Sequence, residues 1–256
     1  MLRLAMHRQP PDLRIDRIEM SNSSLPKVSE LSRSARGEAQ PLIGVKRKIW
    51  RRDDEHAHLA DAAFDPMRKT ILARDNHTCR FCGFRASKYQ EIHHLDDDHT
   101  NNNESNLVTV CTLCHQVHHL GMFAMRNAGF LAALPEFTQA EVNHFCRIIH
   151  VTSSFAEQAV AERLQALFAL FTSRGMDTLK RPFDCDVSDP YLLTQILSGG
   201  DDKLYEARGK SLADLRVVST KNAFHTGQIA FYAQHCRDQF LPSSWSGLAR
   251  QMHEVR

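Results

Sequence analysis

Two C-x-x-C pairs constrain what this chain can fold into more than any other feature of its sequence. Cys79 and Cys82 form the first pair, and Cys111 and Cys114 form the second after 28 intervening residues. Two such knuckles place four thiolates tetrahedrally around one ion, with Zn–S distances of about 2.3 Å. The spacing therefore predicts a structural Zn2+ site held by all four cysteines.

The segment around these pairs lacks the pattern of an ordinary hydrophobic core. Residues 76–120 are dense in Cys, His, Asn and Asp and show little periodic apolar pattern. Because metal binding supplies folding free energy, zinc can organise this part of the chain in place of apolar side chains. Four of the seven cysteines lie in the two pairs, which favours metal over disulfides and indicates a reducing compartment.

Composition and charge exclude several classes of protein. No stretch approaches the roughly 18 consecutive apolar residues of a membrane-spanning helix, and the first residues lack the apolar core of a signal peptide. We therefore expect a cytoplasmic protein without membrane insertion. The formal net charge is only +2, and residues 67–125 carry six basic and six acidic side chains. This balance does not fit a dedicated nucleic-acid binder, which concentrates basic residues on one surface.

Helical periodicity and capping signals predict a mostly helical second half. Thr138 and Glu141 form a capping box, and Ser154 and Glu157 repeat it before another apolar stripe. The predicted helices cover 64–75, the segments after the two capping boxes, a segment from Asp189–Pro190 to Gly199–Gly200, and about 223–238. The apolar run 41–45, followed by basic residues, is open to two interpretations, an edge strand or a phosphate-binding patch.

A second group of chemically active side chains accompanies the cysteines. His93 and His94 lie between the two pairs, and His115 and His119 follow the second pair. If a helix begins near Thr112, the last two histidines are four residues apart and project from one face. Joined by a histidine from a facing strand, they can hold a second divalent metal ion with open positions. A neighbouring neutral histidine could then take a proton from water while the metal stabilises phosphoryl oxygens.

The order of these residues resembles the HNH nuclease motif in its zinc-knuckle variant. The matching features are the two C-x-x-C pairs, HHL at 93–95, NL at 106–107 and CTLCHQVHH at 111–119. The resemblance implies a ββα-metal unit, in which a hairpin is followed by a helix, over roughly residues 70–122.

The HNH resemblance also implies a role for each matching residue. By this resemblance His94 is the general base, and Asn106 is the asparagine that orients the loop of the base. The implied metal ligands are His93, His115 and His119. His118 lies one residue from the expected position of the last ligand and is the alternative to it.

A narrower resemblance covers more of the chain. Residues 74–92, 96–114 and 134–146 are similar to the IcmJ/DotN family, and weaker similarity continues through 188–197 into the last predicted helix. That family belongs to the Dot/Icm, or type IVB, secretion apparatus. Its HNH-like zinc fold serves there as a protein-binding component of the cytoplasmic coupling complex, which delivers effectors to the channel. The resemblance therefore implies a coupling ATPase as the partner and recruitment to the inner membrane.

The sequence departs from both patterns. It keeps the complete histidine set of a nuclease, which a purely structural adaptor would not need. It lacks the glycine usually found between the histidines and the asparagine, and has Asp96, Asp97 and Asp98 there instead. Three carboxylates repel a phosphodiester unless metal neutralises them. We therefore favour an adaptor in a type IVB secretion coupling complex, with a metal-dependent HNH endonuclease that cuts or nicks DNA as the alternative.

Together these inferences predict an α+β fold class. An HNH-like ββα-metal core with zinc knuckles is followed by a mostly α-helical C-terminal region. The predicted organisation is a disordered tail at 1–40, an HNH-like zinc-binding domain at 41–125, a helical region packed on it at 126–240, and a tail at 241–256. The first tail is predicted from its many serines and its low apolar content.

Overall fold

The protein has a mixed α/β fold, seen in a computed structural model that describes residues 40–46, 57–98, 101–175, 178–185 and 188–241. The helices are α1 (Ala57–Arg74), α2 (Thr112–His118), α3 (Leu120–Met125), α4 (Gln139–Thr152), α5 (Gln158–Ser173), α6 (Lys180–Phe183), α7 (Pro190–Gly199), α8 (Asp202–Ser211) and α9 (Gln228–His235). The strands are β1 (Gln90–His94), β2 (Leu107–Cys111), β3 (Gly129–Ala133) and β4 (Leu215–Ser219). The strands form two small antiparallel sheets, and none of the described helices is both long and apolar enough to cross a membrane.

The first sheet is an antiparallel hairpin that leads directly into a helix. β1 pairs with β2 in a register that sets Gln90 opposite Cys111. The chain then enters α2 at Thr112, the start that sets His115 and His119 four residues apart on one face. Thr112 Oγ1 donates to the Tyr89 carbonyl at 3.1 Å, which ties the first turn of α2 to the start of β1. The second cysteine pair, at the end of β2 and the start of α2, is thereby held against the first strand.

The second sheet joins two strands that lie far apart in the sequence. β3 pairs with β4 so that Gly129 lies opposite Ser219 and Ala133 lies opposite Leu215. A Cβ atom on Gly129 would lie 2.0 Å from the Val218 carbonyl oxygen, so only glycine permits this approach. Neither strand is predicted from the sequence. A five-residue strand that is buried on both faces, as β4 is, shows no alternation of apolar and polar residues.

Helix α4 connects the parts of the fold. One hydrophobic cluster extends from residue 43 to residue 240 and includes side chains from both sheets and from α4. At the start of α4, the Gln139 side chain both donates to and accepts from the backbone of Val217 in β4, at 2.9 and 2.8 Å. At its end, Thr152 Oγ1 donates to the Phe240 carbonyl at 3.1 Å. The helix therefore holds the second sheet and the last described turn at its two ends.

Helix α1 begins earlier than its sequence signal indicates. It starts at Ala57 rather than near residue 64, and the Asp65–Pro66 signal, typical of a helix start, lies inside it. The Ala-rich stretch before the proline has high intrinsic helix propensity, which favours extension of the helix toward its N-terminus.

The predicted second capping box is wrong. Helix α5 begins at Gln158 with Glu157 as its cap residue, and the Glu157 side chain makes no capping hydrogen bond. Ser154 Oγ donates instead to the Val151 carbonyl, because Ser154 lies in the turn that ends α4. The last predicted helix is also shorter than expected, since α9 covers only Gln228–His235 between two 3-10 turns.

The apolar run 41–45 forms no strand. It is an extended segment in which the Gly44 N–H donates to the Val117 carbonyl and the Gly44 carbonyl accepts from the Leu120 N–H, at 3.0 and 2.9 Å. The segment thus packs along α2 and α3. The basic residues that follow Lys46, and the predicted tails apart from residues 40 and 241, lie outside the described residues.

The first capping box is present, and its removal gives a test of the fold. Thr138 Oγ1 accepts from the Glu141 N–H at 3.2 Å, and the Glu141 side chain accepts from the Thr138 N–H at 2.7 Å. We expect Thr138→Ala to lower the free energy of unfolding by about 1 kcal/mol. Ser154→Ala, which removes no cap, should change it by less than about 0.5 kcal/mol. Urea denaturation of the zinc-loaded variants measures both values, and equal losses would contradict the assignment of the cap.

Candidate metal centres

The two cysteine pairs converge on one point. The Sγ atoms of Cys79, Cys82, Cys111 and Cys114 all lie within 4.8 Å of one another. Cys82 Sγ and Cys111 Sγ are 3.7 Å apart. A regular tetrahedron with Zn–S bonds of about 2.3 Å has S···S edges of about 3.8 Å. The donor set and its spacing therefore fit one zinc ion held by four thiolates.

The backbone around the first pair forms a tight knuckle. The Cys79 N–H donates to the Phe84 carbonyl at 2.9 Å, and the Gly83 N–H donates to the Cys79 carbonyl at 2.8 Å. Gly83 has a φ of 73°, in the left-handed region that glycine adopts without strain. The Arg80 N–H donates to the Thr109 carbonyl and so fixes the knuckle against β2. These bonds direct both sulfurs of the first pair toward the second pair.

Helix α4 supplies hydrogen bonds to the sulfurs. Asn143 Nδ2 donates to Cys114 Sγ at 3.3 Å, and Arg147 Nη2 donates to Cys111 Sγ at 3.0 Å. Arg147 also lies 3.8 Å from Cys82 Sγ and is only 1% exposed. Neither residue is among those predicted from the sequence, although a charged side chain next to the core residue Cys146 is a signal that could have identified Arg147.

The electrostatics of the cysteine centre favour a bound cation. Burial raises the pKa of the Cys79 and Cys114 thiols, whereas hydrogen bonds from the other cysteines lower the pKa of Cys82. Burial acts to lower the pKa of Arg147, but the negative charge of Cys111, Cys82 and Cys114 outweighs it and raises that pKa. Sulfurs this close together repel one another when ionised, and a divalent metal ion removes that repulsion.

Three of the predicted histidines form a second cluster. His93 on β1, His115 on α2 and His119 just after α2 bring ring nitrogens to within 4.8 Å of one another. The Nε2 atoms of His115 and His119 are 3.1 Å apart. Two imidazole ligands of a tetrahedral ion with Zn–N bonds of about 2.0–2.1 Å would be about 3.3 Å apart. The cluster can therefore hold a divalent ion with at least one position open.

Glu91 stands behind this cluster and was not among the predicted site residues. Its Oε2 bonds His115 Nδ1, and its Oε1 bonds His225 Nε2 at 3.1 Å. Burial acts to raise the pKa of Glu91, but the bonds to His115 and His225 lower it overall. A carboxylate on Nδ1 leaves Nε2 of the same ring for a metal ion. The signal was available, because Glu91 and His93 are two residues apart and lie on the same face of β1.

The geometry distinguishes His119 from His118. The ring of His118 stacks on His93, with centroids 4.2 Å apart, and lies 5.1 Å from the ring of Phe81. Burial among these rings lowers the pKa of His118 to about 3. His119, and not His118, brings a ring nitrogen to His93 and His115.

The two residues to which the HNH resemblance gives catalytic roles both bond the loop that follows β1. Asn106 Nδ2 donates to Asp96 Oδ1 at 2.8 Å and to the Asn101 carbonyl at 2.9 Å. It therefore fixes the loop that follows β1. His94 is 7% exposed, and its Nε2 bonds Asn102 Oδ1 in the same loop at 3.0 Å.

The fold and the cysteine centre define a mixed α/β protein with four cysteines placed to hold one metal ion. No protein-family model matches the chain. The chain is 34% identical over 173 residues to the "Type 4 apparatus protein DotN" of Legionella pneumophila, a match that covers 66% of this chain and 78% of DotN. The chain therefore belongs to the IcmJ/DotN family, as the resemblance in its sequence indicated.

Zinc analysis tests the cysteine centre directly. Purified protein should contain about one tightly held zinc ion per chain. Cys111→Ser should abolish zinc retention and soluble expression, because a site of this kind contributes on the order of 10 kcal/mol. Cys185→Ser is the matched control and should retain zinc, since Cys185 lies outside the cluster. A well-folded, zinc-free variant with all four ligands changed to serine would overturn the assignment.

Proposed function

We propose that this protein is a zinc-stabilised, HNH-like component of a type IVB (Dot/Icm-like) secretion coupling complex. In it the protein acts as an adaptor that binds the coupling ATPase for effector delivery. The observation that carries the proposal is the match to a type 4 apparatus protein over 78% of that protein's length. On this proposal the protein works in the cytoplasm and is recruited to the inner membrane by the complex.

The HNH-like part of the proposal is supported by the order of elements around the metal centres. The β1–β2 hairpin leads into α2, with His93 on the first strand and His115 on the helix. The cysteine centre lies at the junction of hairpin and helix. Its zinc would be structural, because four thiolates fill a tetrahedral site and leave no position for substrate.

The adaptor role is supported by apolar surface on the helical region. In α5, Leu167 and Leu170 are 52% and 60% exposed, and Leu164 is the one buried residue of that helix. The face that carries these leucines therefore exposes apolar side chains to solvent. Apolar surface of this kind typically serves as an interaction site. We place the contact with the coupling ATPase on this face of α5.

Nuclease chemistry is less well supported by the surroundings of His94. As placed, His94 Nε2 is hydrogen-bonded to the amide oxygen of Asn102, so that nitrogen already has a partner. The Phe64 ring stacks on His94 with centroids 5.7 Å apart. Hydrogen bonds from Asn101 and its neighbours lower the pKa of the nearby Asp96 to about 2. At neutral pH this exposed carboxylate is ionised and repels a phosphodiester.

Binding of the coupling ATPase tests the adaptor role. A pull-down with the cytoplasmic tail of that ATPase should lose at least about tenfold in affinity when Leu167→Asp and Leu170→Asp are combined, because the new carboxylates would be buried without partners. The same pull-down should survive His94→Ala. Leu204→Asp on α8 is the control, since Leu204 is also partly exposed but lies on another helix. Loss of binding on His94→Ala, with the fold intact, would contradict the proposal.

The alternative function is a metal-dependent HNH endonuclease that nicks or cuts DNA. The observation in its favour is the convergence of His93, His115 and His119 with Glu91 behind them. A functional histidine site would bind a divalent ion weakly and reversibly, separately from the thiolate-bound zinc.

A plasmid assay decides between the two functions. We expect supercoiled DNA with magnesium, manganese or nickel to remain intact with the wild-type protein, because the acidic loop and the balanced charge disfavour approach of DNA. His94→Ala is the matched control. Metal-dependent nicking by the wild type that disappears with His94→Ala would favour the nuclease over the adaptor.

A further inference from the structure

We propose that Arg147 is a positioning residue of the four-cysteine centre and that it makes the placement of α4 depend on the bound metal. The guanidinium balances part of the thiolate charge and attaches α4 to both cysteine pairs. The inference rests on the cysteine centre alone and does not require the proposed adaptor role.

Charge balance is the first reason. Four thiolates around one Zn2+ carry a net charge of about −2, and burial of uncompensated charge is costly. Arg147 lies 3.0 Å from Cys111 Sγ and 3.8 Å from Cys82 Sγ, deep in the interior. None of its partners in the described part of the chain is a carboxylate. The thiolates are thus the anions that accommodate this buried cation. The positive charge of Arg147 reduces the net charge of the zinc–thiolate centre from about −2 to about −1.

The geometry around Arg147 is the second reason. Its guanidinium lies over the Phe84 ring, 4.0 Å from the centroid, and its Nη1 bonds His144 Nδ1 at 3.1 Å. His144 Nε2 in turn donates to the Cys82 carbonyl at 2.7 Å. The planar fork is therefore fixed by an aromatic face, a histidine and sulfurs from both pairs. A lysine can supply the charge but not this fork.

A stripe of buried polar side chains carries this contact along α4. Gln139, Asn143 and Arg147 are spaced four residues apart, so they lie on one face of the helix. Gln139 Nε2 donates both to the Val217 carbonyl in β4 and to Asn143 Oδ1, at 2.9 and 3.0 Å. Asn143 Nδ2 then donates to Cys114 Sγ. Hydrogen bonds thus run without interruption from the second sheet to the metal centre.

The consequence is that the metal orders more than the two knuckles. Without it, the four sulfurs are no longer held around one ion, and Arg147 loses the anionic centre that its guanidinium contacts. A buried charge that loses its partner is strongly destabilising. We therefore expect α4 and β4 to lose protection together with the knuckles when the metal is removed.

The first experiment measures zinc release from the full-length, zinc-loaded protein. With excess chelator, Arg147→Gln should release zinc at least tenfold faster than the wild type, and Arg147→Lys should recover part of that loss because it restores the charge. Arg174→Gln is the control, since Arg174 pairs with Glu136 at the surface. Release from Arg147→Gln at the wild-type rate would overturn the proposal.

Cobalt substitution separates the electrostatic role from a purely structural one. The thiolate-to-cobalt charge-transfer absorption of the Co2+-loaded protein should shift in Arg147→Gln and return toward the wild-type position in Arg147→Lys. An unshifted band in Arg147→Gln would show that the guanidinium does not act on the sulfurs. If Arg147→Gln does not fold, Arg147→Lys is compared with the wild type, and identical spectra and release rates would count against the proposal.

Hydrogen exchange of the wild-type protein tests the link to α4 without any substitution. Removal of zinc should speed exchange at amides of α4 and β4 at least tenfold, together with the amides of the two knuckles. Helix α8, which has no buried residue, serves as the internal reference and should change less. Full protection of α4 and β4 in the zinc-free protein would overturn the proposed dependence.

Discussion

Closure of the segment between the two cysteine pairs is the constraint on which the rest of the structure depends. Its sulfurs approach to 3.7 Å, a distance at which ionised thiolates repel one another unless a cation lies between them. Because α2 begins at the second pair, the same closure sets the position of that helix. Side chains of α4 donate hydrogen bonds to the sulfurs. The closure therefore also sets the position of α4, the helix that supports the second sheet.

The features that could be predicted from the sequence are those encoded over a few residues. Each C-x-x-C pair and the capping box of Thr138 and Glu141 depend on side chains within one turn. The structure brings the four cysteines together, and it brings His93 to His115 and His119. Local spacing was sufficient for these groups because a hairpin and the helix that follows it are neighbours in both sequence and space.

The features that could not be predicted depend on contacts between distant parts of the chain. β3 pairs with β4 across more than 80 residues, as the register of Gly129 with Ser219 requires. Arg147 reaches sulfurs 36 and 65 residues away. His225 reaches Glu91 across 134 residues. No local pattern specifies which distant groups such side chains meet, since tertiary packing decides it. The capping box predicted at Ser154 is wrong for a related reason. A serine caps a helix only where the helix begins directly after it, and α5 begins later, at Gln158.

The two clusters depend on each other unequally. Both clusters use α2, because Cys114 lies in the first turn of this helix and His115 is the next residue in it. The cysteine centre is attached to α4 by hydrogen bonds. With zinc bound, four Zn–S bonds would fix α2 whether or not the histidines hold an ion. The histidine cluster would have no such independence, because His115 and His119 take their positions from the helix that begins at the second cysteine pair. Loss of the zinc would therefore disperse the histidines, whereas an empty histidine cluster would leave the cysteine centre in place.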